Sequence, residues 1–157
     1  LGTSTSRNAD AKAKVVQTLA ITKDRDLNFG VFAGLSTGTS TVIIAATATG
    51  ARTGTADLVA SSSGYTPISA KFTVTGAANQ SVTITVPADG VVSLKKGGAS
   101  ENAMTTNSWL TDLSNLSNTS LGETGSVEFH VGATLTVNAS QPVGEYVGSF
   151  EVTANYN

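Results

Sequence analysis

From Val127 to Tyr156 the apolar side chains recur at every second residue, and this alternation limits what the whole chain can become. Val127, Phe129, Val131, Ala133, Leu135 and Val137 fall on one face, with Glu128, His130, Thr134, Thr136 and Asn138 between them. Gln141-Pro142-Val143-Gly144-Glu145 then breaks the pattern with turn-forming residues. Beyond it Tyr146, Phe150, Val152, Ala154 and Tyr156 alternate with Val147, Ser149, Glu151, Thr153 and Asn155. Successive side chains of a strand point to opposite faces, so each run reads as a half-buried strand. The short turn between them predicts an antiparallel hairpin. A lone hairpin is marginal in water, so its apolar face calls for a second sheet.

The rest of the composition agrees with an all-β domain. The apolar residues, 39% of the chain, are mostly Val, Ala, Leu and Ile in short runs interleaved with Thr and Ser, which suits pleated surfaces. At 157 residues the chain is long enough for one domain with a real core. Only 13% of residues are charged and the net charge is -2, so there is no basic stripe for nucleic acid. The absence of cysteine excludes thiol chemistry and thiolate metal sites. No apolar run is long enough to span a bilayer, and no signal sequence is visible at Leu1. Richness in Ser, Thr, Gly and Ala with little charge points to an exported or cell-surface protein.

Taken in order, Leu1 to Asn8 is a small, polar lead. Next comes an apolar comb on odd positions: Ala9, Ala11, Ala13 and Val15, then Leu19 and Ile21. A helix competes over Ala9 to Val16, where Ala and Lys abound, but the sustained alternation favours an extended strand. Lys23 to Asp26 is a polar break. Strands are expected at Leu27–Phe32, Thr41–Thr49, Thr55–Ala60, Ile68–Val74, Val82–Val86, Val91–Leu94 and Thr105–Leu113, separated by turn clusters. About eight to ten strands at this spacing describe a β-sandwich, with a barrel as the lesser option.

The polar residues do not converge on a reaction, and no enzyme activity, cofactor or metal is expected. His130, the single histidine, falls on the polar face of its strand and lacks visible partners for acid–base or metal work. Asp24, Asp26, Asn28 and Gly30 copy the first half of a calcium loop. However, Leu27 and Phe29 interrupt it and the closing Glu is missing. Trp109 reads as a core aromatic, or as a sugar-stacking platform if it lies on an exposed loop.

The two ends carry a resemblance. The N-terminal comb runs into Leu27-Asn28-Phe29-Gly30, Gly144 stands fourteenth from the C-terminus, and Tyr156 is penultimate. In these respects the chain resembles pilin subunits of the chaperone-usher type, in particular the spore-coat-U-like and archaic branches and related bacterial secreted domains. It departs from many of them in lacking a cysteine pair.

The resemblance implies an immunoglobulin-like β-sandwich that is incomplete and is completed by a donor strand from a neighbouring subunit. It divides the chain into a lead and donor strand, residues 1–22, and a pilin-like domain, residues 23–157. The donor would be Ala9, Ala11, Ala13, Val15, Leu19 and Ile21. The acceptor groove would include Phe129, Val131, Leu135, Phe150 and Val152, and Gly144 and Tyr156 would serve chaperone recognition. The implied function is that of a structural subunit of an extracellular fimbria acting in adhesion or biofilm formation. Its partners would be identical subunits in a head-to-tail homopolymer, with a periplasmic chaperone and an outer-membrane usher during assembly. The alternative from another class is a self-contained carbohydrate-binding or surface module carrying Trp109 and Tyr65 on loops.

Overall fold

Twelve strands and one turn of 3-10 helix make up the regular structure in the computed structural model, which describes residues 2–157. There is no α-helix among the described residues, and every strand pairing is antiparallel. The all-β expectation holds.

The largest sheet has seven strands. Its path runs β1 (Ala20–Arg25), β6 (Ala70–Thr75), β11 (Ser126–Val137), β3 (Ser40–Ile44), β4 (Arg52–Gly54), with β9 (Ala99–Thr111) also on β11 and β8 (Ser93–Lys96) on β9. A second sheet orders β10 (Thr119–Ser120), β7 (Ser81–Thr85) and β12 (Thr153–Tyr156). A small third one pairs β2 (Val31–Ala33) with β5 (Asp57–Val59).

β11 is the hub because its alternation is long enough to serve three neighbours. Ser126–Val131 pairs with β6, Ala133–Val137 with β3, and Val131–Leu135 with β9. Gly132 marks the changeover. A Cβ there would stand 2.1 Å from the Ile44 carbonyl oxygen, so only a residue without a side chain lets the end of β3 pass so close. β6 and β3 bury alternate residues, as the sequence pattern demands: Ala70, Phe72 and Val74 in one, Ser40, Val42 and Ile44 in the other. Val82 and Ile84 of β7 join Phe129, Val131, Leu135 and Val137 of β11 in a single core that also takes Met104, Trp109 and Leu121.

Several expectations need correction. The predicted C-terminal hairpin does not form, because β12 pairs with β7 in the other sheet and not with β11. Alternation fixes which side chains turn inward but not which neighbour a strand chooses, and both faces of one core satisfy it equally. The N-terminal strand is shorter than its comb: residues 2–19 carry no strand, and pairing begins only at Ala20. Lys23 to Asp26, read as a break, mostly continues β1, because pairing with β6 extends to Arg25. The boundary drawn after residue 22 therefore falls inside this strand. The stretch between the expected strands Val91–Leu94 and Thr105–Leu113 is not merely a turn cluster but largely a tight hairpin turning at Gly97-Gly98, both at positive φ.

Candidate functional site

β1 stands at one edge of the large sheet and β12 at one edge of the second, and each has a single partner. The segments continuing these strands are thinly paired. Between Arg25 and β2 only Asn28 bridges, exchanging backbone hydrogen bonds with Ile68. Before β12 only Val147 bridges, to Lys95, and Gly148–Val152 carries no strand pairing.

Between the two edges lies a groove of about 940 Å³. One wall includes Ile21, Leu27, Phe29 and Val31, the other Tyr146, Phe150 and Val152, and Phe72, Leu94, Met104 and Trp109 close it from beneath. Three aromatic rings interlock there, Phe150 lying 4.7 Å from Trp109 and 6.0 Å edge-on from Phe72, and Phe72 stacks in turn on the core ring of Phe129 at 5.8 Å.

A tyrosine stands at each end. Tyr156 donates its hydroxyl to the Gln17 carbonyl at 2.6 Å and accepts from the Ala77 N–H at 2.7 Å. At the far end Tyr65 and Glu145 meet from opposite sides of the groove. Loss of solvent, then the neighbouring Glu145 carboxylate, raise the Tyr65 phenol above its ordinary 10.0. The two walls thus run in opposite directions, 17 to 30 against 156 to 145. The turn at Gln141–Glu145 is braced: Tyr146 donates to the Pro142 carbonyl, and Gln141 Nε2 reaches both the Asn102 carbonyl and the Tyr146 hydroxyl. Arg52 fixes the upper wall by donating to the carbonyls of Phe29, Val31 and Val59.

The residues singled out from sequence are distributed as follows. Ala9, Ala11, Ala13 and Val15 are exposed, Val15 to 95%. Leu19 and Ile21 do not belong with them. Leu19 packs against its own core beside Gly76, and Ile21 pairs with Val74 in β1 and lines the groove. Phe150 and Val152 line the groove, whereas Phe129, Val131 and Leu135 are fully buried in β11 and do not reach its surface. Gly144 sits in the braced turn at φ 153, where a Cβ would stand 2.6 Å from Lys96 Cε. Lys96 Nζ in turn donates to the Val143 carbonyl at 2.7 Å.

Outside the groove, His130 has a partner that the sequence did not reveal. Asp112 accepts from its backbone N–H at 2.7 Å and lies 2.6 Å from Nδ1. Asp24 takes the Thr73 hydroxyl and Asp26 pairs with Lys23, so these carboxylates do not converge as a calcium loop would require. No cluster of three or more metal-ligating side chains occurs among the described residues. Trp109 belongs to β9, not to a loop, and is only 8% exposed.

Fold and groove together define an all-β domain with an open apolar cleft between two strand edges. Residues 19–156 match the family described as Domain of unknown function (DUF4402), and the chain belongs to it. The matched region begins where the lead ends and β1 is about to start. No curated protein and no solved structure matches the chain.

Proposed function

We propose that this protein is a structural subunit of an extracellular filament, an immunoglobulin-like sandwich short of one strand, and that residues 9–16 of a second copy fill its groove. The observation that carries this reading is the coexistence of an open apolar groove between two strand edges and an exposed apolar comb that fits along it. From Ile21 to Val31 a wall spans eleven residues, about 36 Å of extended chain, which accommodates the reach of about 26 Å from Ala9 to Val16. An inserted strand gains ladder hydrogen bonds from the free edges and places Ala9, Ala11, Ala13 and Val15 in the groove at every second residue.

Charge supports the same occupant. The lead carries Arg7, Lys12 and Lys14 against Asp10, and the groove is lined by Asp26, Glu145 and Glu151 against Lys23. Opposite potentials of this kind speed encounter. The strand comes from another copy because Tyr156 pins Gln17 at the lower mouth. Entry into its own groove would need a reversal within Gln17-Thr18-Leu19, which lacks the Gly, Asn or Asp of tight hairpin turns.

With Leu19 and Ile21 assigned to their own domain, burial of three Ala methyls and Val15 stabilises the contact by roughly 4–5 kcal/mol before ordering costs. Donor and acceptor lie on different parts of one subunit, so the contact is head-to-tail and open-ended. Until it is made, an exposed edge of this kind needs cover, the role proposed for a periplasmic chaperone before passage through an outer-membrane usher. The test is Val15→Asp, with Ala13→Asp beside it. Each buries a carboxylate against apolar walls and stops filament growth while leaving the domain folded. Filaments of normal length from both variants sink the proposal.

A further inference from the structure

Trp109 reaches the groove only through a break in the strand that carries it. Along β9 the inward residues are Met104 and Thr106, so Ser108 should point inward next and Trp109 outward. Instead Ser108 is exposed at φ 52 and Trp109 is buried. The ladder shows why: Gly132 pairs with Leu110 and Thr134 with Asn107, leaving Ser108 and Trp109 opposite the single residue Ala133. This is a β-bulge, which re-aims the side chain that follows it. It holds a non-glycine residue in the left-handed region, an unfavourable conformation, and the Asp89 carboxylate anchors it by accepting the Ser108 N–H at 2.7 Å.

The indole so placed is chemically unfinished. Its Nε1–H is buried and has no hydrogen-bond partner among the described residues. A buried unpaired donor is destabilising, and regular alternation without the bulge would have left the indole facing outward. Phe150 lies over the ring at 4.7 Å, and it belongs to Gly148–Val152, the stretch without strand pairing.

We propose that the Trp109 Nε1–H is a binding group of the groove, donating to a main-chain carbonyl of the strand that enters it. The inference rests on the filament reading above. The inward face of the comb is Ala9, Ala11, Ala13 and Val15, which brings no side-chain acceptor, so the carbonyls of the strand itself are the acceptors available. Because the donor is buried in the free subunit, the proposal requires its cover to open as the acceptor arrives, and Phe150, in the stretch without strand pairing, is the ring packed on the indole.

The protein's one tryptophan makes the test direct. Full-length chain carrying Ala13→Asp and Val15→Asp, which disable its own lead as donor, is labelled with nitrogen-15 and titrated with a synthetic peptide of residues 7–18. The single indole N–H resonance moves downfield as the peptide binds. In the same background Trp109→Phe, which keeps a ring against Phe150, weakens the peptide about tenfold, the loss of one hydrogen bond, without lowering the unfolding midpoint comparably. Peptide binding with an unmoved indole resonance and unchanged affinity in Trp109→Phe overturns the inference and leaves the filament reading standing. No peptide binding overturns both. An indole shift produced by cello-, chito- or malto-oligosaccharides and not by the peptide also overturns both, since it gives the groove to a sugar.

Discussion

Replacing Tyr156 by Phe removes one oxygen atom and two hydrogen bonds. That hydroxyl is shared between the Gln17 carbonyl, 2.6 Å away, and the half-buried Ala77 N–H, 2.7 Å away. The ring keeps its place in the β12–β7 ladder opposite Val82. Gln17 regains water when the bond is lost; Ala77 does so less easily. At about 0.5–1 kcal/mol for each of these partly solvated hydrogen bonds, the variant loses roughly 1–2 kcal/mol. With a slope of about 2 kcal/mol per molar urea, its unfolding midpoint falls by about 0.5–1 M. The loss is also local. Leu19 is held beside Gly76 and Tyr156, so amide exchange at Ala77 and through Ala20–Thr22 accelerates, by roughly 5–30-fold, while that of Val131–Leu135 in the hub strand changes no more than the global loss requires. The boundary between the free lead and the domain's own first strand then shifts toward Ala20. An unchanged midpoint together with unchanged exchange at Ala77 refutes the claim that Tyr156 sets this boundary.

Three further outcomes follow from the same geometry. Gly132→Ala pushes a methyl to 2.1 Å from the Ile44 carbonyl, and the variant loses at least about 3 kcal/mol in denaturant unfolding, as overpacking against backbone does. The Tyr65 phenol is raised, so its contribution to stability is whole below pH 10.0 and disappears as the pH climbs through its folded-state value. An ultraviolet titration finds a phenol step later than that of free tyrosine, lost in Tyr65→Phe, and Glu145→Gln moves that step back down. Assembly slows as salt rises from 0.05 to about 0.5 M, since basic lead and acidic groove attract across solvent; elongation rates by light scattering that do not depend on salt contradict the charge pairing.

How much of this was legible in the sequence varies with the kind of information each element carries. β6, β7 and β11 were readable because Phe72, Ile84 and Leu135 belong to strict alternations, and burial enforces that pattern. Strand partners were not readable, since Tyr146 to Tyr156 shows the same alternation whichever sheet it joins. The groove lining was half visible. Phe150 and Val152 are legible as groove residues on their periodic run, but Phe129, Val131 and Leu135, expected in the same groove, carry the same signal, because period alone does not tell a cleft wall from a deep core. Trp109 was missed as a groove residue because the bulge at Ser108 breaks the parity from which its direction would be read. The breaking of that parity, Met104 and Thr106 even but Trp109 odd, was itself the available signal. The Asp112–His130 contact joins β11 to the residue just after β9, a proximity no local pattern encodes.

The distribution of mass in solution decides the central claim. Purified full-length chain and the same chain without residues 2–16 are compared by sedimentation at equal concentration. The account predicts an open series of multimers from the first and none from the second. A full-length chain that sediments as one folded copy at every concentration, with the groove empty and no growth, contradicts it.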